Sequence, residues 1–269
     1  RGFHEDSLHR NLNGKFLRPK FITNLLLSKG RKNDIRIVKQ FSKNNNSIIS
    51  GNSSYTSQRI EDVYGIKCNF IHPCVDREEY TDNTQQTTNP YIEAKEVEYV
   101  VTIGTANWAK GSMEAISMLS GTNISLVHVG GGSDAEIKTL QEHASTKKVK
   151  LWVAPRLSSQ QLSSLMKDSL AIISMAHKEP FGLTPIEAFS IGTPAIFVDD
   201  GGFRDSIIDG ECGRLLPRHD YSKWHEALNQ CRDKNLREKW ATAGRNRIID
   251  LKLSPQEQAE KIHKLFQSQ

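Results

Sequence analysis

The sequence predicts an α/β fold with a doubly wound parallel sheet, because two observations hold from Val97 onward. Short apolar segments alternate with longer segments that have helical periodicity. The apolar segments are also rich in β-branched residues, which is typical of strands buried on both faces of a parallel sheet. A chain in which strands and helices alternate in this way forms a parallel sheet with helices on both faces.

Five strands and five helices make up this Rossmann-like region, which we place at residues 95–250. The predicted strands are Val97–Ile103, Ile124–Val129, Val149–Val153, Leu170–Ser174 and Ala195–Val198. The predicted helices are Gly111–Leu119, Ala135–Ala144, Gln160–Asp168, Thr184–Ile191 and Phe203–Ile208. Ligands of such sheets bind beyond the carboxyl ends of the strands. Lys110 and Glu179 each follow a predicted strand, so we expect both at that edge.

Residues 1–80 predict an incomplete N-terminal α/β portion. They contain a predicted helix over Thr56–Tyr64 and short strands at Ser47–Ser50 and Asn69–His72, after one or two helices nearer the start. Two short strands are too few for a stable sheet of their own. Residues 82–89 are polar and rich in Thr, Gln and Asn, which is typical of an exposed loop or linker.

Residues 254–269 predict a final helix. Ser254 is a suitable N-cap, Pro255 suits the first helical position, and Glu257 completes a capping box. The apolar residues at helical spacing are Ala259, Ile262, Leu265 and Phe266. They predict one buried stripe on this helix.

The composition is that of an ordinary soluble protein, with 37% hydrophobic and 25% charged residues among 269. No apolar run approaches the ~18 residues that a membrane-spanning helix needs, and no secretory signal is visible. The four cysteines form no C-x-x-C pair and no histidine cluster accompanies them. We therefore expect no metal site and a cytoplasmic, reducing environment. The cysteines are Cys68, Cys74, Cys212 and Cys231.

Positive charge is concentrated in residues 1–43, which hold eleven Lys and Arg against three Asp and Glu. Such an excess attracts anionic lipid, nucleic acid or a phosphorylated acceptor. Apolar residues interleaved with the basic ones predict an amphipathic helix that starts near Pro19. Two interpretations stay open: a helix packed on its own domain, or a contact with the anionic inner face of a membrane. The segment lacks the aromatic pattern of a nucleic-acid module, so nucleic acid is not expected.

Two carboxylates, Glu179 and Glu187, bracket the run E-P-F-G-L-T-P-I-E between a predicted strand and a predicted helix. Gly182 lets the backbone come close to a ligand. The free N–H groups at the start of the helix attract an anion such as a phosphate. Carboxylates accept hydrogen bonds from sugar hydroxyls. Phosphate and polyol recognition at one place describes a nucleotide sugar.

At these residues the sequence resembles the retaining glycosyltransferases of the GT-B fold, in particular family 4, which is similar to glycogen synthase. The family signature is a Glu, seven residues and a second Glu, and here it is followed by G-T-P and D-D-G-G-F-R-D. The resemblance runs from about Asn46 to Phe266. It implies a GT-B-like protein in which residues 1–80 belong to the acceptor side and residues 254–269 form a helix that crosses back to it.

The resemblance also implies the roles of individual residues. Glu179 would bind hydroxyls of the transferred sugar, and Glu187 would bind the ribose. Backbone N–H groups of Leu183 and Thr184 would hold the distal phosphate with help from Lys110. The remaining positions that the resemblance places in the donor site are Gly104, Thr105, Leu157, Phe181 and Gly182.

The sequence departs from the family pattern in the G-R…K-G motif after the first strand. Lys110 and Gly111 match it, but Thr105 occupies the position of the arginine. A lysine alone lacks the bidentate grip that an arginine provides on a phosphate. Ala154-Pro155 also replaces the usual glycine in the segment before Leu157.

The sequence therefore predicts a metal-independent retaining glycosyltransferase that needs no cofactor. Glu179 and Lys110 would be its catalytic residues. A UDP- or GDP-sugar would be the donor, and the acceptor would be lipid-linked, a glycan or a protein. One alternative is a non-catalytic nucleotide-sugar-binding or regulatory protein, or a fragment that is inactive without the rest of its N-terminal domain. A sugar-nucleotide epimerase is a third interpretation, which would require a second catalytic carboxylate or histidine set.

Overall fold

The computed structural model describes residues 10–75 and 88–267. The strands are β1 Tyr99–Ile103, β2 Ser125–Val129, β3 Leu151–Val153, β4 Ala171–Ser174, β5 Ala195–Val198 and β6 Arg214–Leu216. The helices are α1 Lys20–Phe41, α2 Ser54–Tyr64, α3 Ser112–Leu119, α4 Asp134–Lys147, α5 Ser159–Asp168, α6 Thr184–Ile191, α7 Phe203–Ser206, α8 Tyr221–Gln230, α9 Lys234–Leu251 and α10 Pro255–Gln267.

The six strands form one parallel sheet in the order β3-β2-β1-β4-β5-β6. The chain builds the sheet outward from β1 to β3 and then returns to place β4 on the other side of β1. Val101 is paired with Val127 on β2 and with Ile172 on β4. This strand order is the doubly wound one, and its switch point lies between β1 and β4.

The core lies between the sheet and the helices that pack on it. Ile172 and Ile173 of β4 have no exposed surface, and β5 is buried along its whole length. Each fully buried aliphatic side chain stabilises the fold by roughly 1.5–3 kcal/mol. Gly244 on α9 lies against the ring of Phe189 on α6, where a Cβ would come within 2.7 Å of the ring. The glycine therefore allows these two helices to pack closely.

The predicted α/β sheet is confirmed. All five predicted strands are present, each ends at the predicted residue, and four of them begin one or two residues later than predicted. Helix α6 has its predicted bounds, Thr184–Ile191. Strand β6 and helices α8 and α9 were not predicted. Strand β6 has only three residues, and α9 buries only Trp240, Gly244 and Ile248 among its eighteen residues, so its apolar stripe is narrow.

The two strands predicted before residue 75 are wrong. A single parallel bridge joins Gly51 to Phe70, and neither Ser47–Ser50 nor Asn69–His72 forms a strand. Two short segments do not make a sheet without a third neighbour to pair with. The predicted linker lies mostly outside the described residues, as do residues 1–9 of the basic segment.

Helix α1 begins directly after Pro19, as the sequence predicts. Of its residues only Thr23 is buried. Phe21 and Leu25 are each 73% exposed, and Leu26 is 62% exposed. The apolar side of this helix is therefore open to solvent.

The final helix has the predicted capping box, because Ser254 and Glu257 bond each other's backbone N–H groups at 3.2 and 3.1 Å. The predicted buried stripe is wrong, since none of the residues Pro255–Gln267 is buried. The Gln258 amide on α10 donates to the carbonyl of His72 at 3.1 Å, which ties this helix to the N-terminal segment.

Candidate active site

The loops that follow β1 and β4 meet at the carboxyl edge of the sheet, beside the switch point. The loop after β1 contains a short 3₁₀ turn at Trp108–Lys110, and Asn107 caps it by accepting the Lys110 N–H at 3.2 Å. Gly111 then turns with φ 69°, and a Cβ there would lie 2.0 Å from the carbonyl oxygen of Met175. Only glycine permits this contact between the two loops.

Lys110 and Glu179 come together across this contact. The Lys110 Nζ lies 2.8 Å from the Glu179 Oε2, and the two side chains are 33% and 21% exposed. The aliphatic part of Lys110 crosses Gly104, where a Cβ would come within 3.0 Å of the lysine chain. A side chain at residue 104 would therefore displace the ammonium group. The pair is open enough for a ligand to reach and enclosed enough to be held in place.

The loop after β5 holds the backbone of Glu179 in place. Its carbonyl oxygen accepts the Gly202 N–H at 2.7 Å, so this N–H is not left for a ligand. Gly182 has φ 82°, and a Cβ there would lie 2.4 Å from the Phe203 ring. The glycine is therefore required by packing within the protein.

The ring of Phe181 faces the N-terminal segment. It is buried, and it stacks on the imidazole of His72 with ring centres 4.9 Å apart. Any contact of Phe181 with a donor would come through its backbone.

Helix α6 starts at the same place. It has no side-chain cap at Leu183, and that residue is 41% exposed. The first N–H groups of a helix have no partner within the helix and carry partial positive charge. Glu187 lies in the first turn of α6, where it is partly buried, and Thr184 is the first helical residue. The start of α6 thus combines an anion-binding end with a carboxylate.

The other two predicted donor residues lie further away or have local partners. Thr105 is exposed, and its hydroxyl accepts a hydrogen bond from the Asn107 amide at 2.8 Å. Leu157 is partly buried in the loop after β3. Strands β2 and β1 separate β3 from β4, which amounts to about 14 Å at the usual spacing. A ligand that reaches both Leu157 and Glu179 must be extended.

A second group of charged residues lies beside this pair, and the sequence reasoning missed most of it. Arg218 donates to Asp200 at 2.9 Å and lies 3.3 Å from the Nε2 of His177. His177 is 2.8 Å from Glu114 and stacks on Trp108 at 4.1 Å. Burial alone would raise the pKa of Glu114, but the hydrogen bond with His177, a backbone hydrogen bond and the charges of His177 and Arg218 together hold that pKa below its ordinary value.

The N-terminal segment touches the same run of residues. The Ser53 hydroxyl donates to the carbonyl of Pro180, and the Ser54 N–H donates to Asp205 at 2.7 Å. His72 lies 3.1 Å from the same carboxylate. Burial would raise the pKa of Asp205, yet the hydrogen bonds from His72 and Ser54 hold it below its ordinary value.

The doubly wound sheet is the fold of the GT-B glycosyltransferases. Residues 84–247 match the family model described as glycosyl transferases group 1, and the chain belongs to that family. A D-inositol 3-phosphate glycosyltransferase of Corynebacterium jeikeium is 29% identical over 139 residues, which are 51% of this chain and 32% of that relative. This chain therefore spans about a third of the length of that relative.

Solved structures show the same fold. A glycosyltransferase from Rickettsia africae has a TM-score of 0.72 at 18% identity, over 82% of this chain and 63% of that one. The Anabaena protein HepE, crystallised with UDP and glucose, has a TM-score of 0.68 at 16% identity, over 88% and 67%. Both likenesses concern the fold.

Among residues 10–75 and 88–267, no helix has the length and apolar character required to cross a bilayer. The same residues contain no group of three His, Cys, Asp or Glu side chains placed to hold a metal ion.

Proposed function

We propose that this chain carries the donor site of a retaining glycosyltransferase that transfers a sugar from a nucleotide sugar. The observation that carries the proposal is the Lys110–Glu179 pair, 2.8 Å apart, beside the uncapped start of α6 at the switch point. An ammonium group and helix N–H groups suit a diphosphate, and a carboxylate suits sugar hydroxyls. Family membership supports the same reaction class.

Each group has a task in this reaction. The diphosphate lies at the start of α6, where Lys110 and the N–H groups of Leu183 and Thr184 bind it. Glu179 accepts hydrogen bonds from the sugar, and Glu187 accepts them from the ribose. As the bond from sugar to phosphate breaks, negative charge grows on the diphosphate. Donors already aimed at that position stabilise this charge most strongly in the transition state, so a metal ion is not required.

UDP is the first nucleotide to test, because the structurally similar Anabaena protein is bound to UDP and glucose. GDP-sugars remain the second choice. The acceptor class is lipid-linked, a glycan or a protein. The Corynebacterium relative is named for D-inositol 3-phosphate, so this phosphorylated polyol belongs in the acceptor panel.

The test is cleavage of UDP-glucose and GDP-mannose by the whole chain, with the released sugar followed by NMR. Retention predicts that the first sugar formed has the anomeric configuration of the donor. Lys110→Ala should abolish most of the reaction. Lys239→Ala, which changes an exposed lysine on α9, should not. Release of the opposite anomer would contradict retention, and equal rates for both variants would contradict the site.

A non-catalytic nucleotide-sugar-binding or regulatory protein is the second candidate. One observation favours it: Thr105 stands where the family has an arginine, and its hydroxyl is bonded to Asn107. A fragment that is inactive without the rest of the N-terminal domain would behave in the same way. Calorimetric binding of UDP-glucose without cleavage would support this candidate.

The division of the chain also belongs to this proposal. We assign residues 1–80 to the acceptor side, residues 95–250 to donor binding and residues 254–269 to a crossover helix. We further propose a cytoplasmic protein whose segment 1–43 meets an anionic membrane surface, supported by the open apolar side of α1. Nucleic acid is not a proposed partner.

Vesicle binding tests the membrane contact. Lys20→Glu with Lys29→Glu should reduce binding to vesicles of phosphatidylserine and phosphatidylcholine, by about 1 kcal/mol for each lysine near the surface. The matched pair Lys138→Glu and Lys167→Glu makes the same charge change elsewhere and should have less effect. Binding that does not weaken in high salt would contradict an electrostatic contact.

A further inference from the structure

Arg218 lies directly after β6, at the carboxyl edge of the sheet. Its side chain is 13% exposed. The guanidinium group extends past the end of β5 to the end of β4, so one side chain joins the exits of three neighbouring strands. A fixed planar fork of five N–H donors suits such a task, and a lysine does not replace it.

The contacts of Arg218 are concentrated on the segment that leads to Glu179. The guanidinium group donates to the carbonyls of Met175 and Ala176, the first two residues after β4, the second at 2.9 Å. It also donates to Asp200 at 2.9 Å. The same Asp200 carboxylate accepts the Lys178 N–H at 3.3 Å. Arg218 therefore binds the start of this segment directly. It also binds the Asp200 carboxylate, which in turn binds Lys178 in the middle of the segment.

This segment needs an external support. The backbone of Lys178 has φ 53°, in the left-handed region that residues with a Cβ atom rarely adopt. Such a conformation persists only where surrounding contacts fix it. These contacts include those of Arg218 and Asp200, the Gly202 N–H on the Glu179 carbonyl, and the His177 N–H on the Ala109 carbonyl at 2.7 Å. The direction in which the Glu179 side chain leaves the backbone depends on them.

We propose that Arg218 is a positioning residue for the sugar end of the donor. It fixes residues 175–179 so that the Glu179 carboxylate meets the transferred sugar, and it acts through Glu179 without touching the donor. This inference rests on the proposed function for its effect on the reaction. Its effect on the segment itself can be measured without any reaction.

Arg237 provides a matched control. It donates to the carbonyls of Leu170 at 2.6 Å, Cys231 at 3.2 Å and Ser169 at 3.2 Å. Two of these carbonyls come directly before β4. Arg218 and Arg237 thus hold the two ends of one strand by the same kind of contact, and only Arg218 lies at the edge with Glu179.

The first measurement is amide hydrogen exchange in the whole chain. Arg218→Lys should speed exchange at the N–H groups of Lys178 and Gly202 by about tenfold, because a charge-assisted contact that supports them is weakened. Arg237→Lys should leave these two amides unchanged. If Arg218→Lys does not fold, Asp200→Asn tests the same support. Unchanged exchange at both amides, in whichever of these variants folds, would overturn the proposal.

The second measurement separates positioning from general damage. In single-turnover cleavage of UDP-glucose, Arg218→Lys should lower the rate about tenfold and leave UDP affinity unchanged. The same change should have little further effect when Glu179→Gln is already present, because coupled residues are not additive. Full additivity, or equal loss of UDP affinity, would overturn the positioning role. If Glu179→Gln itself has no effect on the rate, the proposed function fails instead.

Discussion

The amino edge and the carboxyl edge of the sheet both hold polar side chains, but these side chains have different partners at the two edges. At the amino edge, the Tyr99 hydroxyl donates to the carbonyl of Leu165 at 2.7 Å, and Arg237 binds the carbonyls before β4. Burial raises the pKa of Tyr99, so this hydroxyl stays a neutral donor. At the carboxyl edge, Lys110 and Glu179 carry opposite charges and remain partly exposed. Tyr99 and Arg237 of the amino edge thus bind backbone carbonyls, whereas the Lys110–Glu179 pair of the carboxyl edge lies beside the start of a helix.

A cleft by itself does not decide which edge binds the donor. A cleft of about 380 Å³ lies at the amino edge, between Val97 and Arg237. Its arginine is committed to backbone carbonyls, and no helix of the doubly wound region starts there with a carboxylate pair. The carboxyl edge has the start of α6 and the Lys110–Glu179 pair. The start of α6 and the direction of the strands therefore favour the carboxyl edge for the proposed donor site.

The largest expected difference between the edges concerns the reaction rate. Glu179→Gln should lower single-turnover cleavage of UDP-glucose by about 100-fold, because a hydrogen bond to a charged group is worth up to ~3 kcal/mol. Binding of UDP should change much less. Glu238→Gln, an exposed glutamate on α9 next to Arg237, is the matched change near the amino edge and should leave the rate unchanged. A wild-type rate for Glu179→Gln would contradict the proposal that the carboxyl edge carries the reaction.

The next difference concerns phosphate and ribose recognition. Lys110→Ala should weaken UDP by about 10- to 150-fold and leave uridine binding unchanged, since a charge-assisted contact contributes roughly 1.5–3 kcal/mol. Glu187→Gln should weaken UDP and uridine alike, because both contain the ribose. Calorimetry with the two ligands distinguishes these outcomes. Equal loss of both ligands on Lys110→Ala would remove the phosphate assignment.

A substitution at the amino edge should instead change the stability of the fold. Arg237→Ala leaves the carbonyls of Ser169, Leu170 and Cys231 without their partner and should lower the free energy of unfolding by about 1–2 kcal/mol. Urea unfolding measures this change. Affinity for UDP should stay at the wild-type value. A loss of UDP affinity that exceeds the loss of stability would show that the two edges are coupled.

The sequence predicted the parts of this arrangement that depend on local pattern. The end of β4 and the bounds of α6 follow from the apolar content of the strand and the helical pattern that comes after it. The contacts of Arg218 could not be predicted, since its partners Met175 and Asp200 are 43 and 18 residues away in the sequence. The stacking of His72 on Phe181 joins distant segments in the same way. Contacts of this kind arise only once the strand order brings the loops together.

The smallest expected effect concerns Asp205, which ties the carboxyl edge to the N-terminal segment. Its pKa is below the ordinary value in the folded protein, so its stabilising contribution is complete above the unfolded pKa of about 3.9 and is lost as the pH falls through the folded value. Asp205→Asn should therefore lower the free energy of unfolding by ~1 kcal/mol at pH 7. The difference from wild type should shrink on going to pH 3.

Urea unfolding at the two pH values measures this difference. Asp62→Asn is the control, because Asp62 is 43% exposed and its partners Gln58 and Arg59 lie on the same helix. An exposed pair contributes little, so this variant should match wild type closely at both pH values. The Asp205 contact includes His72 at 3.1 Å and the Ser54 N–H at 2.7 Å, and both belong to the N-terminal segment. A difference that persists unchanged at pH 3 would mean that the carboxylate charge does not hold this segment to the carboxyl edge.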